Sequence, residues 1–236
     1  GIKKFPDGFL VKDVVFATFI HRLFNKIETM EKILHLCTIK TFSKDKFIKI
    51  LEDLRSSGNN IFTNAHLTTG VRFGGYDDKL YNIVYLIDLI HKSIHSIYNR
   101  LCKANSLEEL YLATRTVNGF GPFLGYQYIL DIVNSGIMNF SLDDFSVAGP
   151  GCKRGIAHVF PNVGSDISHL DAMKMMRRKQ HIYLERYNYD FKFVEDLGGK
   201  KRGIHLGNIE NQFCEFSKYY KAYHGIGRPR NKFSPS

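Results

Sequence analysis

The sequence predicts a mainly α-helical fold with little or no β structure. Three observations carry that expectation. Apolar residues recur at three- and four-residue steps through long stretches, the period of one helix face. Two-residue alternation is scarce, with only a weak hint of extended structure in "KQHIYLERYNYDFKFVED". Two glycine–proline turns each abut an apolar run that reads as a helix start.

The elements follow in order. "DVVFATFIHRLFNKIETMEKIL" sets Val15, Phe16, Phe19, Ile20, Leu23, Phe24, Ile27 and Met30 on one face of a first helix. Ser43 to Leu54 continues the pattern in a shorter element. "RSSGNNIFTNAH" is turn-like and then briefly apolar, and "TTGVRFGGYDDK" is a glycine-rich loop. A long helix follows, "KLYNIVYLIDLIHKSIHSIYNRLCKA", carrying Leu80, Ile83, Val84, Ile87, Ile90, Ile94, Ile97 and Leu101. Ser106 with Glu109 forms a capping box for the next helix, "LEELYLATRTV". About ten helices are expected on this pattern. They form one helical domain over 1–236, divisible into two lobes of about 1–115 and 116–236.

Composition narrows the function classes. At 236 residues and 44% apolar content the chain can bury a real core. No run approaches the roughly 20 apolar residues that span a bilayer, so no membrane role is expected. "GIKKFPDGFL" lacks the apolar stretch of a secretory signal. Cys37, Cys102, Cys152 and Cys214 are scattered, which argues against a disulfide framework or zinc site. A reducing, intracellular setting is expected: nuclear in a eukaryote, host cytoplasm for a viral protein. No cofactor or metal motif is read. The net charge is +10, and Lys174–Ser236 holds 14 Lys and Arg against 6 Asp and Glu, leaving only +2 elsewhere. Cation concentrated in the last quarter suits a polyphosphate partner; a solvated basic tail is the plainer alternative.

The first turn, "LATRTVNGFGPFLGYQYILDIVN", has the chemistry of a helix–hairpin–helix. Gly119 and Gly121 permit positive φ and close backbone approach. Pro122 suits a first helical turn, and Gly125 permits close helix packing. Exposed amides at such a helix start can grip phosphate without reading sequence. A simple αα-corner has the same chemistry, and both readings stand. In "SVAGPGCKRGIAHVF", Gly149, Pro150 and Gly151 make a second entry, with Lys153 and Arg154 at the helix N-terminal end. Cations there oppose the helix dipole. A bound anion would resolve that conflict, and otherwise it is a small tolerated penalty.

Taken in order, "FNKIET", "TNAHL", "GFGPFLGYQYILDI", "VAGPGCKRGI", "IENQFCEFSKY" and "GRPRNKF" resemble the helical DNA-base hypermodification family, from about Val14 to Phe233. That family comprises the alpha-glutamyl/putrescinyl thymine pyrophosphorylases and the helical domain of 5-hydroxymethyldeoxyuridine DNA kinases. The resemblance implies a helical fold distantly like helix-hairpin-helix DNA glycosylases, which holds a duplex and handles an extruded base. It implies an enzyme transferring an amine or amino acid onto a phosphorylated 5-hydroxymethyluracil in DNA, with a separate base kinase as a partner. The chain has no G-x-x-x-x-G-K-[ST], so phosphorylation by this segment is not expected. Excision of a modified pyrimidine is the alternative activity. Asp143 and Asp144 fall near the glycosylase spacing, although "VAGPGCKRGI" replaces the usual run after it. A non-catalytic DNA-binding module is the third reading, and no residue excludes RNA.

The candidate site residues are these. Asn25, Lys26 and Glu28 are a base- or phosphate-binding cluster, or a solvated helix end. Asn64 is a base-contacting amide or a turn cap, beside His66. Gln127 and Asp131 lie one turn apart and suit a uracil-like ring or an incoming amine, or an internal network. Glu210, Cys214 and Lys218 share a stripe. Glu210 and Glu215 beside Lys218 can split acid and base roles, though Glu215 and Lys218 also read as a surface ion pair. Asp131, Asp144, Glu210 and Glu215 are the catalytic candidates, and Arg228, Arg230 and Lys232 the phosphate-contacting tail.

Overall fold

The structure, a computed structural model, describes residues 8–63, 72–164, 166–188, 194–195 and 201–227. Among the described residues it is mainly helical, with nine α-helices and one short 3-10 turn. The extended structure is an antiparallel ladder of two two-residue strands, Val194–Glu195 and Lys201–Arg202. The stretch read as hinting at strand is helix from Lys179 to Arg186, where α-helical bonds carry on from the Ser168 cap on Asp171 N, and it also contains the strand Val194–Glu195. The chain divides into two compact units, 1–140 and 141–236. The division falls later than residue 115 because the two helices flanking the first turn pack on each other.

The first unit is built around α1 (Val11–Phe24). This helix was expected to bury one face, yet every residue from Asp13 to Phe24 is buried. Phe16, Phe19, Ile20 and Leu23 meet the neighbouring helices with no exposure, and Phe19 stacks on Tyr128 at 3.9 Å. The apolar period runs on past Phe24, but the helix does not. Asn25 turns left-handed at φ 47°, its N–H bonded to His21 O at 2.6 Å, and α2 (Ile27–Ile33) starts in a new direction. Asn is among the few side chains that tolerate that conformation.

After the 3-10 turn Leu34–Leu36 come α3 (Lys44–Ser56) and α4 (Lys79–Leu101). Asp78 caps α4 through Leu80 N at 2.9 Å. Buried Asn82 ties down the glycine-rich loop, its oxygen accepting from Gly74 N at 3.1 Å and Tyr76 N at 3.2 Å. α5 (Leu107–Arg115) is capped by Ser106 on Glu109 N at 3.1 Å. The reciprocal arm lands one residue earlier than expected, Glu109 Oε2 accepting from Asn105 N at 2.8 Å. α6 (Pro122–Asn134) starts with Gly121 as N-cap and Pro122 in its first turn, and packs on α1 and α5.

The second unit contains α7 (Pro150–Val159), α8 (His169–Arg186) and α9 (Leu206–Tyr223). Its core joins Cys152, Ile156, Ala172, Met173, Leu206, Ile209 and Phe213. The α7–α9 contact is the closest in this unit: a Cβ on Gly155 would lie 2.0 Å from Phe213 O.

Candidate functional site

In the first unit the turn between α5 and α6 borders an open groove of about 580 Å³, lined by Phe73 and residues 115–124. Gly119 sits at φ +82°, a left-handed value that favours glycine, and a Cβ there would also meet Leu86 Cδ2 at 2.6 Å. Phe120 plugs the core beneath, edge-on to Phe19 at 4.8 Å. Gly121 has open space around it, and no side chain caps α6. The first amides of a helix lack intrahelical partners and carry partial positive charge. Arg115 lines the same groove, its guanidinium over the Tyr111 ring at 5.7 Å. Its stem crosses α6 where Gly125 gives it room, since a Cβ there would lie 3.3 Å from Arg115 Cγ. Sequence reasoning missed Arg115; a cation just ahead of a glycine turn is the signal that could have found it.

Further along α6, Gln127 is buried, and Asp131 is half-buried one turn on. Arg22 of α1 donates to Asp131 Oδ2 from Nε at 2.7 Å and also from Nη2. Both guanidinium donors fall on one carboxylate oxygen. Arg22 is itself almost fully buried, so the pair is charge-assisted in a low-dielectric setting. It ties up Asp131, which therefore serves better as a structural counter-ion than as a free base. His21 precedes Arg22 on α1. Burial pushes its pKa below the ordinary 6.5, Asp131 opposes that shift and Arg22 adds to it, leaving the imidazole neutral at pH 7.

Two buried polar atoms on these helices find no hydrogen-bond partner among the described residues, His21 Nδ1 and Gln127 Nε2. Such atoms are rare because desolvating them without a partner costs about 1–3 kcal/mol each. Neither Arg22 nor His21 was singled out in the sequence. They lie more than a hundred residues from their α6 partner, and a one-faced helix pattern puts polar side chains in water.

The other predicted residues divide. Asn25 closes α1 and Glu28 is exposed in the first turn of α2; Lys26 Nζ donates to Asn60 O. Asn64, His66, Arg228, Arg230 and Lys232 lie outside the described residues.

In the second unit Gly149 and Gly151 both make contacts with α9. A Cβ on Gly151 would lie 2.5 Å from Cys214 Sγ, so this glycine lets α7 close on α9. Gly149 N–H already has an acidic acceptor, Glu210 Oε1 at 3.1 Å. Lys153 and Arg154 are exposed on α7. Asp143 is held by Arg177 in a two-pronged pair of 2.8 and 2.9 Å and accepts from Leu206 N, whereas Asp144 is exposed. Glu215 and Lys218 form an exposed ion pair at 2.5 Å, three residues apart. The stripe of Glu210, Cys214 and Lys218 runs from core to surface, with Glu210 buried and Lys218 exposed.

Burial raises the Glu210 pKa, outweighing the lowering effect of the Gly149 N–H. The folded chain then keeps this proton to a higher pH than the unfolded chain does. The penalty is absent below the ordinary 4.5 and grows as pH rises from there through the folded value. Glu210→Gln keeps an oxygen for Gly149. It should raise the melting temperature near neutral pH and change it little below the ordinary carboxylate pKa, as paired thermal melts at the two pH values would read.

The family described as "5-hmdU DNA kinase, helical domain" matches residues 6–227. Among curated proteins, a 5-hmdU DNA kinase of Bacillus phage SP10 is 28% identical over 226 residues, covering 90% of this chain and 34% of that one. The chain thus spans about a third of that relative's length. No solved structure matches. No described helix is long and apolar enough to cross a membrane, and the described residues hold no cluster of three or more potential metal ligands. With a match running through both units, from before α1 to beyond α9, this chain belongs to the family of 5-hmdU DNA kinase helical domains.

Proposed function

We propose that this chain binds DNA and receives a 5-hydroxymethyluracil, turned out of the duplex, against the α1–α6 polar cluster, as the base-handling part of a modification at the 5-hydroxymethyl group. The relative's name supplies the substrate. The observation that carries the reading is the pair of unsatisfied buried atoms, His21 Nδ1 and Gln127 Nε2. A uracil ring offers an N3–H donor beside carbonyl acceptors. Both atoms are buried, so the base reaches them only where the α1–α6 contact opens; neutral His21 then accepts from the donor, and the Gln127 amide donates to an acceptor. Thymine shares that edge, so the 5-substituent must be read elsewhere in the site. The open α6 N-terminus with Arg115 suits a phosphate of the same strand. It lies roughly 9 Å along the axis from Gln127 at 1.5 Å per residue. The α5–α6 turn acts here as the hairpin that grips the backbone.

The finer reaction is amine or amino-acid transfer onto a phosphorylated base. The amine nitrogen forms a bond to the 5-methylene carbon as the carbon–oxygen bond breaks. The phosphate leaves with that electron pair, and the ammonium proton passes to a base or water. A separate kinase would supply the phosphorylated base.

Nucleoside mass spectrometry tests both levels. DNA carrying 5-hydroxymethyluracil, or its phosphate, is incubated with the chain with and without amines. A heavier base on an intact glycosidic bond is the expected product. Release of free base would instead establish excision, with Asp144 the residue to replace next. Equal binding to unmodified DNA and no product with any substrate would leave only a general DNA-binding module. Gln127→Leu separates site from scaffold. Removing an unpaired buried donor should stabilise the chain by about 1 kcal/mol while weakening binding of the extruded base about tenfold.

A further inference from the structure

The last two turns of α9 carry aromatic rings on the surface rather than in the core. Tyr219 and Tyr223 are 64% and 74% exposed. They lie one turn apart, their rings nearly parallel at 26° and 6.0 Å between centroids. A second stack runs beside them. His158 of α7 lies on Tyr220 at 3.8 Å and 18°, and Tyr220 meets His224 at 4.2 Å. His224 in turn stands edge-on to Tyr223 at 5.1 Å, so the rings form one continuous ladder. The buried side of α9 is already used by Phe213 and Ser217, so this ladder is surplus to core packing.

Charge selects the occupant. Glu215, one turn before Tyr219 on the same helix, is paired with Lys218, and no Asp or Glu follows it in the sequence. Lys218 and Lys221 alternate with the tyrosines along the helix. Exposed rings interleaved with cations, with the Glu215 carboxylate held in an ion pair, suit an unpaired nucleic-acid strand. Bases stack on ring faces whatever their sequence, while the cations follow the phosphates. A duplex keeps its bases stacked on each other and offers these rings nothing but its backbone. An aliphatic protein-docking patch would not need the histidines and lysines.

We infer that the Tyr219–Tyr223 face of α9 is a stacking platform for unpaired DNA. It rests on the reading that the chain handles DNA, but not on its preference for any modified base. The natural occupant is the strand left single when a duplex is opened around a target base.

Fluorescence anisotropy with a short labelled oligothymidine, and with the same strand annealed to its complement, tests it in the full chain. Tyr219→Ala/Tyr223→Ala should weaken single-strand binding about tenfold or more and leave duplex binding nearly unchanged. Tyr219→Phe/Tyr223→Phe, which keeps the rings, should bind as the parent does. Both positions are exposed, so melting temperatures should agree across the set. The proposal is overturned if the alanine pair binds the single strand as tightly as the parent, or loses duplex binding to the same degree. It is equally overturned if the parent sediments as a dimer that the alanine pair splits, which would make this face a self-association surface. Oligothymidine carries no hydroxymethyl group. Failure of the base-modification reading therefore shows in the mass spectra, and failure of the platform shows here.

Discussion

Asp131→Leu should destabilise the chain by about 3 kcal/mol, because it strands the Arg22 guanidinium in a nearly dry site. Arg22 is 7% exposed and makes two donations to that one carboxylate oxygen. Breaking a buried pair from one side typically costs about 3–5 kcal/mol, and the partial exposure of Asp131, 22% for its side chain, puts the cost at the lower end. Replacing both partners is a different matter. Arg22→Met with Asp131→Leu removes the charge together with its counter-charge, and should recover all but about 1 kcal/mol. Urea denaturation of the two single variants and the pair gives the coupling directly, expected at about 2 kcal/mol plus the cost of Arg22→Met alone. Loss of Asp131 also removes the carboxylate that raises the His21 pKa, so the imidazole becomes still harder to protonate. The paired variant is therefore a folded chain with neutral His21 and Gln127 in place and no ion pair. If it loses base binding, the pair helps shape the site. If it keeps base binding, the ion pair is scaffold and recognition rests on the two unsatisfied atoms.

What could be read in advance follows the range of the interaction. Ser106, Pro122 and the Gly149–Pro150 entry were legible because caps and helix starts are decided by bonds three or four residues long. Asn25 was legible only as one of two readings, a helix end, since the apolar period continues across it through Ile27 and Met30 while one left-handed residue redirects the chain. Among the described residues, the extended hint after Lys179 is met only at Val194–Glu195. Local alternation suggested strand, but Gln180 bonds to both Arg177 O and Ile204 and holds that segment as a helix. At the site, the i,i+4 spacing of Gln127 and Asp131 gave half of the cluster. The half on α1 came from a contact no spacing rule can supply, and it gives Asp131 a buried cationic partner. The exposed ion pair of Glu215 and Lys218 was already the plain reading of their i,i+3 spacing.

Gly155→Ala should be the most damaging single change in the second unit. An alanine inside an exposed helix normally gains up to about 1 kcal/mol over glycine. Here the added Cβ would stand 2.0 Å from Phe213 O and 2.8 Å from Phe213 C, both backbone atoms of α9. A side chain can rotate away from such a contact, whereas a helix backbone must move as a whole. Shifting α9 opens the cluster of Cys152, Ile156, Leu206, Ile209 and Phe213. The expected net loss is about 3 kcal/mol or more. Gly151→Ala is the internal control. Its Cβ would meet Cys214 Sγ at 2.5 Å, the movable end of a side chain, so the cost should be nearer about 1 kcal/mol, and Cys214→Ala should restore it. No side-chain replacement on α9 can rescue Gly155→Ala, because the atom in the way is a carbonyl oxygen. Calorimetric melts of these three variants would sort the cases. Equal, small losses for both glycine substitutions would mean that α7 and α9 are not packed as closely as these contacts require.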